Sequence, residues 1–123
     1  MFCPFCEMPS SQIIIENDHA KAFYDKYPVQ KGHLLVVPKR HISSYFEASE
    51  EEILAIHQLL HQGKEIIEEA YHPDGYNIGV NVGVNGGQTV MHLHVHLIPR
   101  YKGDIDDPRG GIRKAIPNLV PYP

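Results

Sequence analysis

In TVMHLHVHLIPR, residues 89–100, histidine recurs at every second position: His92, His94 and His96. Leu93, Val95 and Leu97 fill the gaps. In an extended chain, residues two apart share a face. The spacing predicts a strand with three imidazoles on one side and an apolar row on the other. Clustered imidazoles disfavour one another's charged forms, so at least one stays neutral near neutral pH. A neutral imidazole is a nucleophile toward phosphorus, and charged neighbours offset phosphoryl oxygens. The preceding turn, GVNGGQT at 83–89, has three glycines, which let backbone N–H groups approach an anion. Gln88 and Thr89 add side-chain donors to it. The bland alternative is three solvated histidines on an amphipathic strand. Strict register beside a glycine-rich turn argues against it.

The other chemistry-bearing pair is CPFC, Cys3 to Cys6. Two thiols three apart suit a redox pair, a pair of inert thiols or half of a zinc site. No strand–helix context of a redox enzyme follows. His57 and His61 lie four apart on a helical pattern, but Gln58, Leu59 and Leu60 stand between them. The glutamate of a metalloprotease motif is missing, so they read as solvated helix residues. His19 and His72 fall at element ends and read as ordinary surface residues.

These groups need a scaffold. QIIIEND, residues 12–18, reads as a short strand, with HAKAFYD, 19–25, as its antiparallel partner. KYPVQKG, 26–32, reads as a loop, and HLLVVPK, 33–39, as a central strand. Ser49 and Glu52 form a capping box. Ile53, Ile56, Leu59, Leu60, Ile66, Ile67 and Ala70 then keep a helical period, with Gly63 as an interruption of modest cost and His72, Pro73 and Gly75 as the stop. YNIGVNV, 76–82, alternates as a strand. The pattern predicts an α+β fold of about five antiparallel strands and one long helix, with short extra turns. Residues 101–123 carry four prolines and read as a tail over the body or a partner.

The chain has 123 residues, 42% of them hydrophobic and 21% charged, which suits one globular domain with its own core. Fifteen acidic residues against eleven basic ones give a net charge of −4, which disfavours a broad nucleic-acid surface. An anionic small ligand remains compatible with a locally positive site. No apolar run is long enough to span a membrane. The beginning, MFCPFCEMP, lacks a secretory pattern, so a cytoplasmic location is expected.

From His92 to Ile98 the run resembles the signature of the histidine triad (HIT) superfamily. KGHLLVVPKRHIS and NVGVNGGQTVMHLHVHLIPR extend the likeness over roughly residues 1–104. The resemblance implies a single HIT domain over 1–123 that cleaves nucleotides at the α-phosphate through a nucleotidyl-histidine intermediate. It implies His94 as nucleophile, His96 as phosphate contact and proton donor, and His33 as the further histidine of the cluster. Asp25, Asn81, Gly87, Gln88 and Thr89, with His94 and His96, fall at its nucleotide-binding positions. Zinc-bearing branches imply structural Zn2+ held by Cys3, Cys6, His41 and His92, with residues 1–10 as the clip. IPRYKGD, 98–104, resembles the fragile-histidine-triad-like branch, which implies hydrolysis of a dinucleoside polyphosphate such as a diadenosine compound. Magnesium, Mg2+, accompanies such substrates. The alternatives are an adenosine phosphoramidase and a nucleotide-binding regulatory module with little turnover. A homodimer is also implied, with the long helix and adjoining strand at the interface.

Overall fold

A computed structural model describes residues 2–117. Five strands form one antiparallel sheet: β1 (Ile15–Glu16), β2 (Ala20–Tyr24), β3 (Leu34–Pro38), β4 (Gly75–Val80) and β5 (Val95–Arg100). Their spatial order is β1-β2-β3-β5-β4, so the histidine strand lies between β3 and β4. One long helix, α1 (Glu50–Tyr71), connects β3 to β4.

The helix starts where the sequence places it. Ser49 Oγ accepts from the Glu52 N–H, and the Glu52 carboxylate accepts from the Ser49 N–H. Arg40 closes a two-pronged ion pair on Glu52, with contacts of 2.7 and 3.1 Å. That guanidinium, with the capping bonds, holds the Glu52 carboxyl down at about 2. His72 ends the helix in a left-handed conformation, φ 55°. Gly63 is more than a tolerated interruption. A Cβ there would sit 2.6 Å from Leu34 Cδ2, so the helix needs glycine to lie close on β3.

The sheet has two unlike faces. Ala20, Ala22, Leu34, Val36, Val95 and Leu97 pack with Ala55, Ile56, Leu59 and Ile67 of the helix. Alternate residues turn the other way. Phe23, Leu35 and Val37 form a second apolar cluster with Cys3 and Phe5 of the N-terminal segment. The register sets Leu35 opposite His96 and Gly79 opposite His96 on the other side. His96 therefore belongs to the face away from the helix.

Two strand expectations are corrected. Within 12–18 only Ile15 and Glu16 pair as strand, and Ser10–Gln12 form a 3-10 turn. Asn17 stops the strand early: its Oδ1 accepts from the N–H groups of His19 and Ala20, which folds the chain back at once. The histidine run is strand only from Val95. His92 and His94 lie in the segment before it, fixed by a 2.7 Å bond from the Leu93 N–H to the Ile42 carbonyl. The apolar alternation holds all the same, with Leu93, Val95 and Leu97 at 1, 3 and 2% exposure. The glycine-rich turn contains a 3-10 turn, Val84–Gly86, between Gly83 and Gly87, both at positive φ (80° and 95°). In the tail, Gly111–Ala115 forms another 3-10 turn that packs on β4. Residues 118–123 of the expected tail lie outside the described residues.

Candidate active site and metal centre

The three histidines go to two neighbouring centres. His92 is wholly buried and His94 is 9% exposed, so neither is a solvated surface residue. His92 turns to the N-terminal cysteines, and His96 turns to β2 and β3. His94 sits between them, its ring centroid 5.2 Å from that of His96 and 5.2 Å from that of Phe5.

Hydrogen bonds fix the tautomers. The His94 Nδ1–H donates to the main-chain carbonyl of His92 at 2.8 Å. A carbonyl can only accept, so in the neutral ring Nε2 carries the lone pair. Among the described residues that Nε2 has no hydrogen-bond partner. His33, 3% exposed, accepts from the Val29 N–H at Nδ1, 3.1 Å away. Its proton is therefore on Nε2, which lies 3.0 Å from His96 Nδ1 and 3.4 Å from Asp25 Oδ2. His96 Nδ1 accepts that proton, which leaves the His96 hydrogen on Nε2. Among the described residues this Nε2–H is shut off from solvent and has no partner. An unmet buried donor costs about 1–3 kcal/mol, a cost that an acceptor oxygen brought against it would relieve.

Electrostatics agree with neutral rings. Burial, then His94 and His33, push His96 down to about 4, against a small opposing pull from Asp25. Burial also lowers His33, again opposed by Asp25. The ligating atoms of Asp25, His33 and His96 lie within 4.8 Å of one another, a spacing that a cation would also tolerate. The proton on His33 Nε2 accounts for it without one.

The nucleotide positions divide into two sets. Asp25 ends β2 beside His33, its Oδ1 accepting the Tyr27 N–H at 2.9 Å. A cleft of about 530 Å³ opens next to Asp25 and His33, bounded also by Tyr24, Val29, Gln30 and Tyr71. It borders the histidine cluster and does not include His94. Asn81, Gly87 and Thr89 are exposed on the turn before His92. A Cβ on Gly87 would come 4.0 Å from Asn81 Cγ, so the two positions adjoin.

Gln88 differs from expectation. It is 4% exposed, and its side chain faces inward. Oε1 accepts the Gly83 N–H at 2.9 Å, and Nε2 donates to the carbonyls of Ser43 and Val90 at 2.8 and 3.0 Å. Its own N–H donates to the Gly83 carbonyl. Gln88 holds the turn's shape and keeps no donor for a ligand.

Cys3, Cys6, His41 and His92 converge at the opposite side of His94, their ligating atoms all within 4.8 Å of one another. His92 Nε2–H donates to the Pro38 carbonyl at 2.8 Å, so Nδ1 is bare and faces the cysteines. The Sγ-to-Nδ1 distances are 3.4 to 3.5 Å, and the two Nδ1 atoms stand 3.1 Å apart. Tetrahedral Zn2+ with Zn–S about 2.3 Å and Zn–N about 2.05 Å requires edges near 3.5 and 3.3 Å. The donor set and its spacing fit that ion. Arg40, locked on Glu52, anchors the loop that presents His41.

Two buried residues of this face were not singled out from sequence. Phe5 sets its ring edge-on to both His92 and His94, at 5.8 and 5.2 Å. Lys21 is 9% exposed, and its Nζ donates to the Phe5 carbonyl, 2.6 Å away. The alternation of HAKAFYD held the signal for Lys21, since Lys21, Phe23 and Asp25 share a face. His57 and His61 have ring centroids 4.7 Å apart, and among the described residues no third ligand joins them. Among those residues no helix is long and apolar enough to cross a membrane.

Comparison with known proteins agrees with this geometry. The HIT domain family model matches residues 7–103. An uncharacterized HIT-like protein of Methanocaldococcus jannaschii is 39% identical over 106 residues, 83% of this chain and 81% of that protein. The asymmetrical bis(5'-nucleosyl)-tetraphosphatase of Schizosaccharomyces pombe is 33% identical over 84% of this chain and 57% of its own. The crystal structure of a Zn-bound histidine triad family protein from Mycobacterium smegmatis superposes with a TM-score of 0.74, at 32% identity, over 83% of this chain and 77% of that one. The chain belongs to the HIT family.

Proposed function

We propose that the protein is a nucleotidyl hydrolase acting on dinucleoside polyphosphates. One observation carries this reading: His94 offers a bare Nε2 next to the unmet, buried Nε2–H of His96. A nucleophile and an oxyanion donor stand side by side. The name of the S. pombe relative supports the substrate class.

In this mechanism Asp25 accepts from the ribose hydroxyls, and Asn81, Gly87 and Thr89 border the phosphates. Gln88 acts by holding their turn. His96 Nε2–H donates to an α-phosphoryl oxygen. His94 Nε2 attacks the α-phosphorus; an N–P bond forms as the bond to the bridging oxygen breaks. The leaving nucleotide departs on that oxygen as a phosphate anion and takes any proton it needs from solvent. Neutral His96 has a single N–H and keeps it on the α-phosphoryl oxygen. The His94 ring becomes cationic, and its Nδ1–H remains bonded to the His92 carbonyl, which steadies that charge. Water then attacks the phosphorus, and the nucleoside monophosphate leaves with His94 restored. Magnesium enters with the polyphosphate.

The four-donor cluster at Cys3, Cys6, His41 and His92 would hold structural zinc. Bound there, zinc ties the N-terminal segment, and with it Phe5, against His94. The family reading also expects two copies per particle. β4 is a sheet edge, and its Ile78 is 53% exposed. Light scattering that gives only a monomer mass at high concentration would refute that expectation.

Denaturing quench at alkaline pH, which preserves the acid-labile N–P bond, during turnover of a radiolabelled substrate panel tests the reading. Dinucleoside polyphosphates and adenosine phosphoramidates are compared side by side. The expected result is label on His94 and monophosphate release from the polyphosphates, both absent in His94→Ala while nucleotide still binds. Release only from phosphoramidates, or turnover that survives in His94→Ala, would overturn it.

A further inference from the structure

The loop between β2 and β3 carries the amide that sets the histidine relay, yet little holds it. Lys26 to Val29 are exposed, with Tyr27 at 78% and Val29 at 67%. Within the hairpin, Tyr27 is tied to Asp25, Val29 to His33 and His33 to the Gln30 carbonyl. Two hydrogen bonds reach the loop from elsewhere among the described residues. Both come from the segment after β5. The Gln30 Nε2 donates to Asp104 Oδ2 at 2.8 Å, and the Tyr101 hydroxyl donates to the Lys31 carbonyl at 2.7 Å.

Asp104 is itself held firmly. Arg100 grips both its oxygens, at 2.8 and 2.9 Å, and the Tyr101 N–H adds a bond at 3.0 Å. Arg100 Nη1 also donates to Asn77 Oδ1 at 2.7 Å, which ties the assembly to β4. Arg100 is 22% and Asp104 10% exposed at the side chain, so the pair is shielded from competing water. Gln30 thus hangs from a rigid carboxylate, and Val29 is the next residue along the chain.

We propose that Gln30 and Asp104 are positioning residues, which keep the Val29 amide on His33 and so fix which nitrogen of His96 carries the hydrogen. The chain of dependence runs through one kind of bond. With the Val29 N–H in place, His33 Nδ1 must accept and its Nε2 must donate. With His33 Nε2–H in place, His96 Nδ1 must accept and Nε2 must donate. Release of Gln30 lets the exposed loop withdraw the amide. The bond that excludes the Nδ1–H tautomer of His33 is then gone. The Asp25 carboxylate, 3.4 Å from Nε2, is the bias that remains, and His96 holds its Nε2 hydrogen for only part of the time. The consequence for turnover rests on the nucleotidyl-transfer reading above; the tautomer assignment does not.

The test is nitrogen-15 NMR of the imidazoles in the full chain without substrate, alongside steady-state kinetics. The wild type should show His33 and His96 both protonated at Nε2. Gln30→Ala should give mixed tautomers at both rings, and kcat should fall about tenfold with KM within about twofold, as expected for a misplaced transition-state donor. Gln30→Glu keeps the side chain's size and sets a carboxylate against Asp104, so it should reproduce the effect if Gln30→Ala folds poorly. Wild-type rings protonated elsewhere would overturn the inference. So would a folded variant whose tautomers match the wild type, whatever its rate. A wild type with the stated tautomers but no nucleotidyl turnover would defeat the functional reading and leave this inference standing.

Discussion

Acidification between pH 6.5 and 4 should destabilise the protein through His96. Burial beside His94 and His33 lowers this ring from 6.5 to about 4. Within that window the unfolded chain takes up a proton that the folded chain refuses. Stability is therefore complete above pH 6.5, declines as pH falls and levels off below about 4. At 1.36 kcal/mol per pH unit, the ceiling is about 3 kcal/mol, reduced by whatever solvent still reaches the ring. The assay is urea denaturation of wild type and His96→Asn at pH 8, 6.5, 5 and 4. Acid-sensitive groups remote from His96 are common to both proteins and cancel in the difference, whereas His33 and His94 touch the ring and are followed separately by NMR in each protein. The wild type should lose stability over this range by about 2–3 kcal/mol more than the variant. Carboxylates act lower: the contribution of Glu52, lowered from 4.5 to about 2, is lost between those two values, and the part that falls above pH 4 is common to both proteins. Equal slopes for the two proteins, or a His96 ring that titrates near 6.5 by NMR, would refute the electrostatic argument and the closed relay behind it.

Two other outcomes are expected. Gln88→Leu should cost about 2–3 kcal/mol, because the Gly83 N–H and the Ser43 and Val90 carbonyls lose buried partners. A variant of unchanged stability that binds phosphate more weakly would show instead that the side chain turns outward to ligand. Purified protein should contain about one zinc per chain, and chelation should lower the melting temperature in wild type but not in Cys6→Ser. Metal-free protein with melting indifferent to added zinc would dismiss the clip.

Much of this arrangement was legible because it is local. The capping box at Ser49 and Glu52, and the apolar beat of Leu93, Val95 and Leu97, are short-range patterns that the fold keeps. What escaped depends on strand order. The family resemblance alone places His33 in the cluster, since nothing near His96 in sequence announces that the chain leading into β3 lies beside it. Gln88 has the chemistry of a ligand donor, and only the position of Ser43 across the turn reveals that it faces inward. Asn17 shortened a plausible strand by a side-chain turn that β-branched neighbours outweighed on paper. Phe5 reaches the site through the path of the N-terminal segment, which periodicity does not describe, whereas the face of Lys21 is readable from the alternation of β2 and only its partner, the Phe5 carbonyl, is not.

His92 serves two masters with two different parts of itself. Its imidazole points to the cysteines, while its backbone oxygen orients the ring of His94. Every amino acid brings that oxygen. A lineage can therefore discard the thiols, and even this imidazole, in small steps and still keep the His94 ring held by its Nδ1–H with Nε2 bare. The four-donor cluster and the orientation of the His94 ring are separable in such a design, joined here by a shared residue and not by a shared atom.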